Sequence, residues 1–198
     1  MSRLPPLRIP IRGRPYGTGV GVASHQLLSQ EFSRSTGKLH RIMHRLVNPT
    51  KAFRTLHKTP TVLKAILKGL SQAQIITLRD GTDGWSILFI LCHLRDLEEI
   101  YTQRVRDLLA QPNPIFRTVS NEALVQQNHY GEQPFESVLD EYCARRNRLI
   151  ALLETVVTED QWLLSGTHLS QGPATLLDVA VNCGLHDIDH IEQITRCA

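Results

Sequence analysis

Apolar residues in the chain after residue 58 recur in long runs at the three- and four-residue spacing of an α-helix. No run there alternates apolar and polar residues between turn signals, as a surface strand would. Glycine and proline are also sparse after about residue 60. At 198 residues with 41% hydrophobic content, the chain is long enough for one domain with a core, plus an appendage. These features predict an all-α fold.

Capping residues and prolines set the bounds of four predicted helices. The helices are predicted to run from Thr59 to about Ile75, from Ser86 to about Ala110, from Pro134 to about Val157, and from Pro173 to the C-terminus. The first is expected to begin at Thr59 because a hydroxyl residue followed by a proline is a common helix start. Four helices that each carry one apolar face predict a four-helix bundle.

Residues 111–133, between the second and third predicted helices, are too many for a tight connection. They contain at most a short helix around residues 122–127. A linker of this size, extended at roughly 3.3 Å per residue, can run back along a helix that is roughly 37 Å long. Helices two and three can then lie parallel, which gives a bundle with a long crossover.

The N-terminal part of the chain has a different composition from the rest. We assign residues 1–57 to a basic extension and residues 58–198 to the bundle domain. Residues 1–24 mix proline and glycine, which predicts disorder. A helix is predicted over residues 26–47 and is expected to end at Asn48-Pro49.

Positive charge is concentrated in this extension. Residues 1–58 hold eleven Lys or Arg and a single acid, whereas the rest of the chain holds eleven bases and eighteen acids. One hypothesis is therefore that the extension binds nucleic acid or another anionic surface. Against nucleic acid, no helix-turn-helix is recognisable and the aromatic residues are few. They are Tyr16, Phe32 and Phe53.

The cysteines and the apolar runs indicate the compartment. Four cysteines are far apart and form no CxxC pair, and Cys92 and Cys183 fall in apolar helical runs, where we expect buried free thiols. The longest apolar stretch, Ile87 to Cys92, is too short to span a bilayer, and the N-terminus lacks an apolar signal core. We expect a cytoplasmic protein that has no membrane partner.

Two pairs of histidines have the i, i+4 spacing that stacks side chains on one helix face. His40 and His44 lie among basic residues, where a cation would be repelled. His186 and His190 are interleaved with acids that lower the local potential and offer acceptors to the ring N–H groups. The later pair is therefore the better candidate for a metal site.

A third ligand is expected from another helix that faces the same interior. His93 is in line with Phe89 and Leu97, which places it on the core stripe of helix two. The charged face of that helix is assigned to Arg95, Glu98 and Glu99. A lone histidine on an apolar stripe is usually a hydrogen-bonded core residue. Because His93, His186 and His190 would otherwise be buried together with unsatisfied nitrogens, we predict that they bind one metal ion.

Two segments resemble the DinB and YfiT-like family of metal-binding four-helix bundles. The segment Trp85-Ser86-Ile87, followed by Cys92-His93-Leu94-Arg95-Asp96, is similar to the family's tryptophan-led segment with its first histidine ligand. The segment His186-Asp187-Ile188-Asp189-His190-Ile191-Glu192-Gln193-Ile194 is similar to its closing H-x-x-x-H-x-x-Q-I signature. The resemblance covers about residues 58–196, and it implies the crossover topology and the three-histidine metal site.

The resemblance also implies classes of function. Some members of the family use the metal to activate a low-molecular-weight thiol, such as bacillithiol or mycothiol, for transfer to an electrophile, whereas others are isomerases. We therefore expect a divalent ion, zinc or nickel by preference, and a small-molecule substrate, with a thiol transferase as the leading hypothesis. A non-catalytic metal-binding stress-response module is the alternative, and a homodimer is one assembly that such a bundle can form.

Other polar residues near these motifs receive simpler interpretations. Asp187 and Asp189 are interpreted as solvated helix charges. His129 and His168 are expected in loops at the ends of the bundle, where a surface position is favoured over a role in shaping a substrate mouth. Gln193 continues the ligand face, where it either contacts a ligand water or is a polar residue at the edge of the core.

Overall fold

The computed structural model describes residues 48–197, where seven α-helices, one short 3-10 helix and three short strands follow one another. The α-helices are α1 Pro49–Leu67, α2 Gln72–Thr77, α3 Ile87–Ala110, α4 Asn121–Gln127, α5 Phe135–Leu153, α6 Glu159–Trp162 and α7 Leu176–Arg196. The strands are β1 Ile115–Phe116, β2 Ser165–His168 and β3 Gly172–Thr175, and the 3-10 helix is Tyr130–Glu132. The predicted disorder up to residue 24, the predicted helix 26–47 and the pair His40 and His44 lie outside the described residues.

Helices α1, α3, α5 and α7 form the four-helix bundle that the periodicity predicts. Ion pairs follow the same order along α3 and α5, because Arg95 pairs with Glu141 at 3.7 Å and Glu98 pairs with Arg146 at 2.5 Å. The two helices are therefore parallel, and residues 111–134 form the long crossover between them. This topology and the all-α class are confirmed.

Helix α7 lies between α1 and α3. It is parallel to α1, since Thr59 bonds to Asp187 and Thr55 lies against Gly184 one turn earlier on each helix. A Cβ atom at Gly184 would lie 2.7 Å from the Thr55 methyl carbon, so glycine allows the two helices to approach this closely. Helix α7 is antiparallel to α3, which places the C-terminal half of α7 beside the first turns of α3.

The start predicted for the first helix is wrong. Helix α1 begins at Pro49, because the Asn48 side chain accepts a hydrogen bond from Lys51 N–H at 3.0 Å and caps the helix. The pair Asn48-Pro49 is therefore the start of a helix that the sequence analysis did not place there. Pro60 lies inside α1, and a domain boundary at residue 58 falls within this helix.

Pro60 leaves one backbone acceptor of α1 without its helical partner. A proline has no N–H to donate, so the carbonyl of Leu56 four residues earlier lacks the usual bond. The Arg146 guanidinium fills this place, with its Nη1 donating to the Leu56 carbonyl at 3.2 Å and to the Thr59 hydroxyl at 2.9 Å. A side chain from α5 thus supplies the hydrogen bond that Pro60 cannot donate within α1.

Arg146 also holds two carboxylates at the centre of the bundle. Its Nη2 lies 2.5 Å from a Glu98 oxygen on α3, and its Nη1 lies 2.7 Å from an Asp187 oxygen on α7. Asp187 also accepts hydrogen bonds from the hydroxyls of Thr59 and Tyr142. All these groups are buried, and burial raises the pKa of Glu98 although Arg146 acts in the opposite direction.

The charged face predicted for α3 is therefore only partly correct. Glu99 is exposed, but Arg95 and Glu98 are buried, and Asp187 is not the solvated charge that its neighbours on α7 suggested. The physical reason is that the crossover brings α5 against the polar side of α3. Arg95 pairs with Asp96 at 2.8 Å, and Arg145 of α5 also lies 3.3 Å from the Asp96 carboxylate.

A small three-stranded sheet, absent from the prediction, closes one end of the bundle. Strand β1 pairs parallel with β2, and β2 forms a hairpin with β3. Pro173 lies in β3, so the last helix begins only after Thr175, whose side chain caps α7. Gly166 of β2 has the Phe116 ring where a Cβ would stand, at 2.6 Å. Such strands are too short to show a two-residue period.

The state of the thiols agrees with the expectation from the sequence. Cys92 and Cys183 are buried and free, which confirms that interpretation. Between residues 48 and 197, none of the helices combines the length and the apolar character that crossing a bilayer requires.

Replacing Arg146 by methionine is expected to destabilise the domain strongly. The substitution keeps the apolar stem of the side chain but leaves Glu98 and Asp187 buried without their cation, which costs about 3–5 kcal/mol. Arg148→Met, at an exposed position of the same helix, is the control and should change the free energy of unfolding by less than about 0.5 kcal/mol. Urea unfolding measures both. Equal losses in the two variants would contradict the role given to Arg146.

Candidate metal centre

The three predicted histidines come together between α3 and α7. The Nε2 atom of His186 lies 3.3 Å from that of His93 and 3.2 Å from that of His190. Ligand atoms of all three residues lie within 4.8 Å of one another. Two nitrogens that each bind a tetrahedral ion at about 2.1 Å lie roughly 3.4 Å apart, so the spacing fits a single ion.

A hydrogen bond from Gln193 sets the tautomer of His190. The side-chain oxygen of Gln193 is only an acceptor, and it lies 2.7 Å from His190 Nδ1. The Nδ1 atom must therefore carry the proton, which leaves a lone pair on Nε2 facing the other rings. Gln193 thus orients a predicted ligand, a more specific role than either of those expected from the sequence.

Aromatic packing orients the histidines as well. The Trp85 ring meets the edge of His93 at a centroid distance of 5.2 Å and stacks on His190 at 6.5 Å with 4° between the ring planes. Tyr101 lies 6.4 Å from His186. His93 depends on this packing, because its Nδ1 is buried and has no hydrogen-bond partner within residues 48–197.

Burial keeps the imidazoles neutral. It lowers the pKa of His93 to about 3 and that of His186 to about 4, and the neighbouring histidines add to the effect. The pKa of His190 is also lowered by burial. Neutral imidazole is the form that binds a metal, so these side chains are ready to act as ligands at physiological pH.

The donor set fits a divalent ion. Three neutral nitrogens that face one another at hydrogen-bond distance cannot all be satisfied, because one Nε2–H can pair with only one neighbouring lone pair and the third nitrogen is left over. One cation satisfies all three lone pairs at once. Within the described part of the chain, no fourth His, Cys, Asp or Glu belongs to this cluster, so one coordination position is left for a ligand from outside.

A cavity of about 600 Å³ runs along α3 beside the cluster. His93 and His186 line it together with Arg104 of α3 and His168 of β2. The surface position predicted for His168 is wrong, because the sheet folds across the end of the bundle and buries this ring. His129 and Asp189 are exposed, as predicted. The sequence analysis did not predict the β2–β3 hairpin, which carries His168 to the cavity.

A helical bundle with a crossover and an inward-facing three-histidine cluster defines a class of candidate metal proteins, and comparison with known proteins gives the family. The chain matches the sequence profile of the DinB superfamily over residues 55–194, and it belongs to this superfamily. The resemblance of the two histidine segments is thereby confirmed.

A solved structure supports the same fold. YfiT from Bacillus subtilis is 22% identical in sequence, and the match covers 75% of this chain and 84% of YfiT, with a TM-score of 0.69. Its structure is described as that of a probable metal-dependent hydrolase with an unusual four-helix bundle topology. A search of curated proteins finds no significant match. Metal binding by His93, His186 and His190 stays a prediction that their geometry favours.

Removing one of the three imidazoles is expected to abolish tight metal binding. Wild-type protein incubated with zinc or nickel should retain about one ion per chain and melt at a higher temperature, since a ligand at 100 times its Kd adds about 2.7 kcal/mol. His186→Ala should lose both effects, and a chelator should reverse them in the wild type. Elemental analysis and thermal unfolding measure this. His129→Ala, at an exposed position, is the control and should behave as the wild type.

Gln193 is expected to affect metal affinity without being a ligand. Gln193→Leu removes the acceptor at His190 Nδ1 and should weaken metal binding about 10–100-fold. Gln193→Glu keeps an acceptor at that place and should retain wild-type affinity or better. Competition with a chromophoric chelator measures the Kd values. Equal affinity of the leucine variant and the wild type would show that packing alone orients His190.

Proposed function

We propose that this domain is a divalent-metal-dependent enzyme that activates a small thiol and transfers it to an electrophilic carbon. The observation that carries the proposal is the convergence of three Nε2 atoms, with His93 and His186 of the three residues also lining a cavity of about 600 Å³. Small-molecule sites are commonly of this size. Histidine-only ligands favour zinc or nickel over harder ions.

An open site argues for catalysis over storage. Structural zinc sites usually have four protein ligands, whereas catalytic sites have three and leave one position for water or substrate. A divalent ion bound by His93, His186 and His190 would supply Lewis-acid chemistry, lowering the pKa of a thiol or a water molecule. Trp85, Tyr101 and Gln193 would hold the imidazoles in place during this chemistry.

Two features favour a thiol over water as the nucleophile. Asp187 is adjacent to His186 in the chain, but Arg146 and two hydroxyls bind it, so it is not free to act as a general base. The carboxylate on the cavity wall, Asp189, is exposed. A thiol needs less help than water, since its own pKa is near 8.5. The apolar walls at Leu97 and Ile100 suit the carbon skeleton of such a substrate.

Thiol transfer needs no reactant other than the thiol and the electrophile. The thiol loses its proton to solvent, the sulfur forms a bond to the electrophilic carbon, and the leaving group departs with its electron pair. Hydrolysis by the same centre is the second candidate, because the structurally similar YfiT is described as a probable hydrolase. Both candidates need the three histidines, so the nucleophile is what distinguishes them.

Thiol transfer is tested with 2-mercaptoethanol and chlorodinitrobenzene on the zinc- or nickel-loaded full chain. We expect a thiol-dependent rate of product formation that His186→Ala abolishes and the exposed His129→Ala retains. Hydrolysis of p-nitrophenyl acetate without thiol is measured in parallel. Ester hydrolysis alone would identify the water-based alternative. Bound metal without either activity would instead favour the non-catalytic metal-binding module.

A further inference from the structure

Arg104 is a cavity residue whose charge has no partner among residues 48–197. No carboxylate of residues 48–197 lies within 4.0 Å of its guanidinium, and its Nε atom is buried without a hydrogen-bond acceptor. Its neighbour on the exposed side of α3, Arg106, pairs with Glu99 at 3.3 Å. Arg146, in the bundle centre, has two carboxylates. An unpaired guanidinium in a half-buried position is therefore an exception in this domain.

Two aromatic rings fix the position of this guanidinium. The Arg104 Cζ atom lies 5.6 Å from the ring centroid of Tyr101 and 5.6 Å from that of Phe116. Such contacts hold the planar group in place while its N–H groups stay available. Tyr101 is also the ring that lies 6.4 Å from His186. The Tyr101 side chain thus lies between the Arg104 guanidinium and the histidine cluster.

His168 adds a second donor beside the same phenylalanine. In the parallel pairing of β1 with β2, His168 is the register partner of Phe116, so both side chains are on one face of the sheet. The backbone N–H of Ser170 donates to His168 Nδ1 at 3.3 Å. The neutral ring must then carry its proton on Nε2, which is a donor. His168 lines the cavity together with Arg104.

We propose that Arg104, with His168 beside it, binds a carboxylate group of the substrate whose reactive end lies at the three histidines. This inference rests on the proposed function for the position of that reactive end. A guanidinium matches a carboxylate with two parallel N–H···O bonds, and such bonds are strongest where water is excluded. The substrate class is therefore a small molecule with a thiol at one end and a carboxylate at the other.

A structural role for Arg104 predicts a different result from a ligand-binding role. If the charge served the fold, removing it would destabilise the domain. An unpaired half-buried charge instead opposes folding, so Arg104→Met, which keeps the apolar stem against Tyr101 and Phe116, should melt at the same temperature as the wild type or higher. Arg106→Met is the matched control on the same helix.

The test uses the cobalt(II)-loaded full chain and the absorption band that a thiol gives on binding cobalt. We measure the Kd of 6-mercaptohexanoate and of 6-mercaptohexanol in the wild type, R104M and R106M. The wild type and R106M should prefer the carboxylate about tenfold or more, and R104M should lose this preference. A preference that survives in R104M, or its absence in the wild type, would overturn the assignment.

A second arm separates this inference from the proposed function. If neither thiol gives a band, the thiol-transfer proposal fails, and the metal-free chain still reports on Arg104. The Arg104 Nε–H resonance, assigned by its absence from the R104M spectrum, should shift on titration with hexanoate and stay unchanged with hexanamide. A wild-type resonance that hexanoate leaves unmoved would overturn the carboxylate site.

Discussion

The ionic cluster around Arg146 is the interaction on which the rest of this domain depends. It joins all four long helices, because Arg146 of α5 contacts Leu56 and Thr59 of α1, Glu98 of α3 and Asp187 of α7. Buried charges tolerate little displacement, since each must keep its partners. The cluster therefore fixes how far α3 and α7 slide along each other, and this sets the distance between His93 and the pair on α7.

The sequence predicted the positions of the three histidines better than it predicted which charged residues are buried. Helical periodicity placed His93 on the core stripe of α3, and the i, i+4 spacing placed His186 and His190 on one face, and the structure brings these rings together. Such patterns depend on local geometry alone. The crossover was also predictable, because the number of residues between two helices limits where the chain can go.

The errors came from interactions between distant residues. Asp187 looks like a surface charge until Arg146, distant in sequence, is known to face it. Pro60 looks like a helix start because its missing N–H is normally tolerated only there, and a side chain from another helix satisfies the Leu56 carbonyl instead. The hairpin around His168 was missed for the related reason that its strands gain their stability from pairing and packing.

The small sheet has a consequence for how such a domain diversifies. The predicted metal ligands are on helices α3 and α7, which also carry residues of the ionic centre, so most changes there would harm the fold as well as the site. His168 of strand β2 and Gln171 of the hairpin turn line the cavity, and the turn is not part of the four long helices. Under the proposed function, sequence drift in that turn would alter which compounds the cavity accepts while His93, His186 and His190 stay unchanged, at little risk to folding.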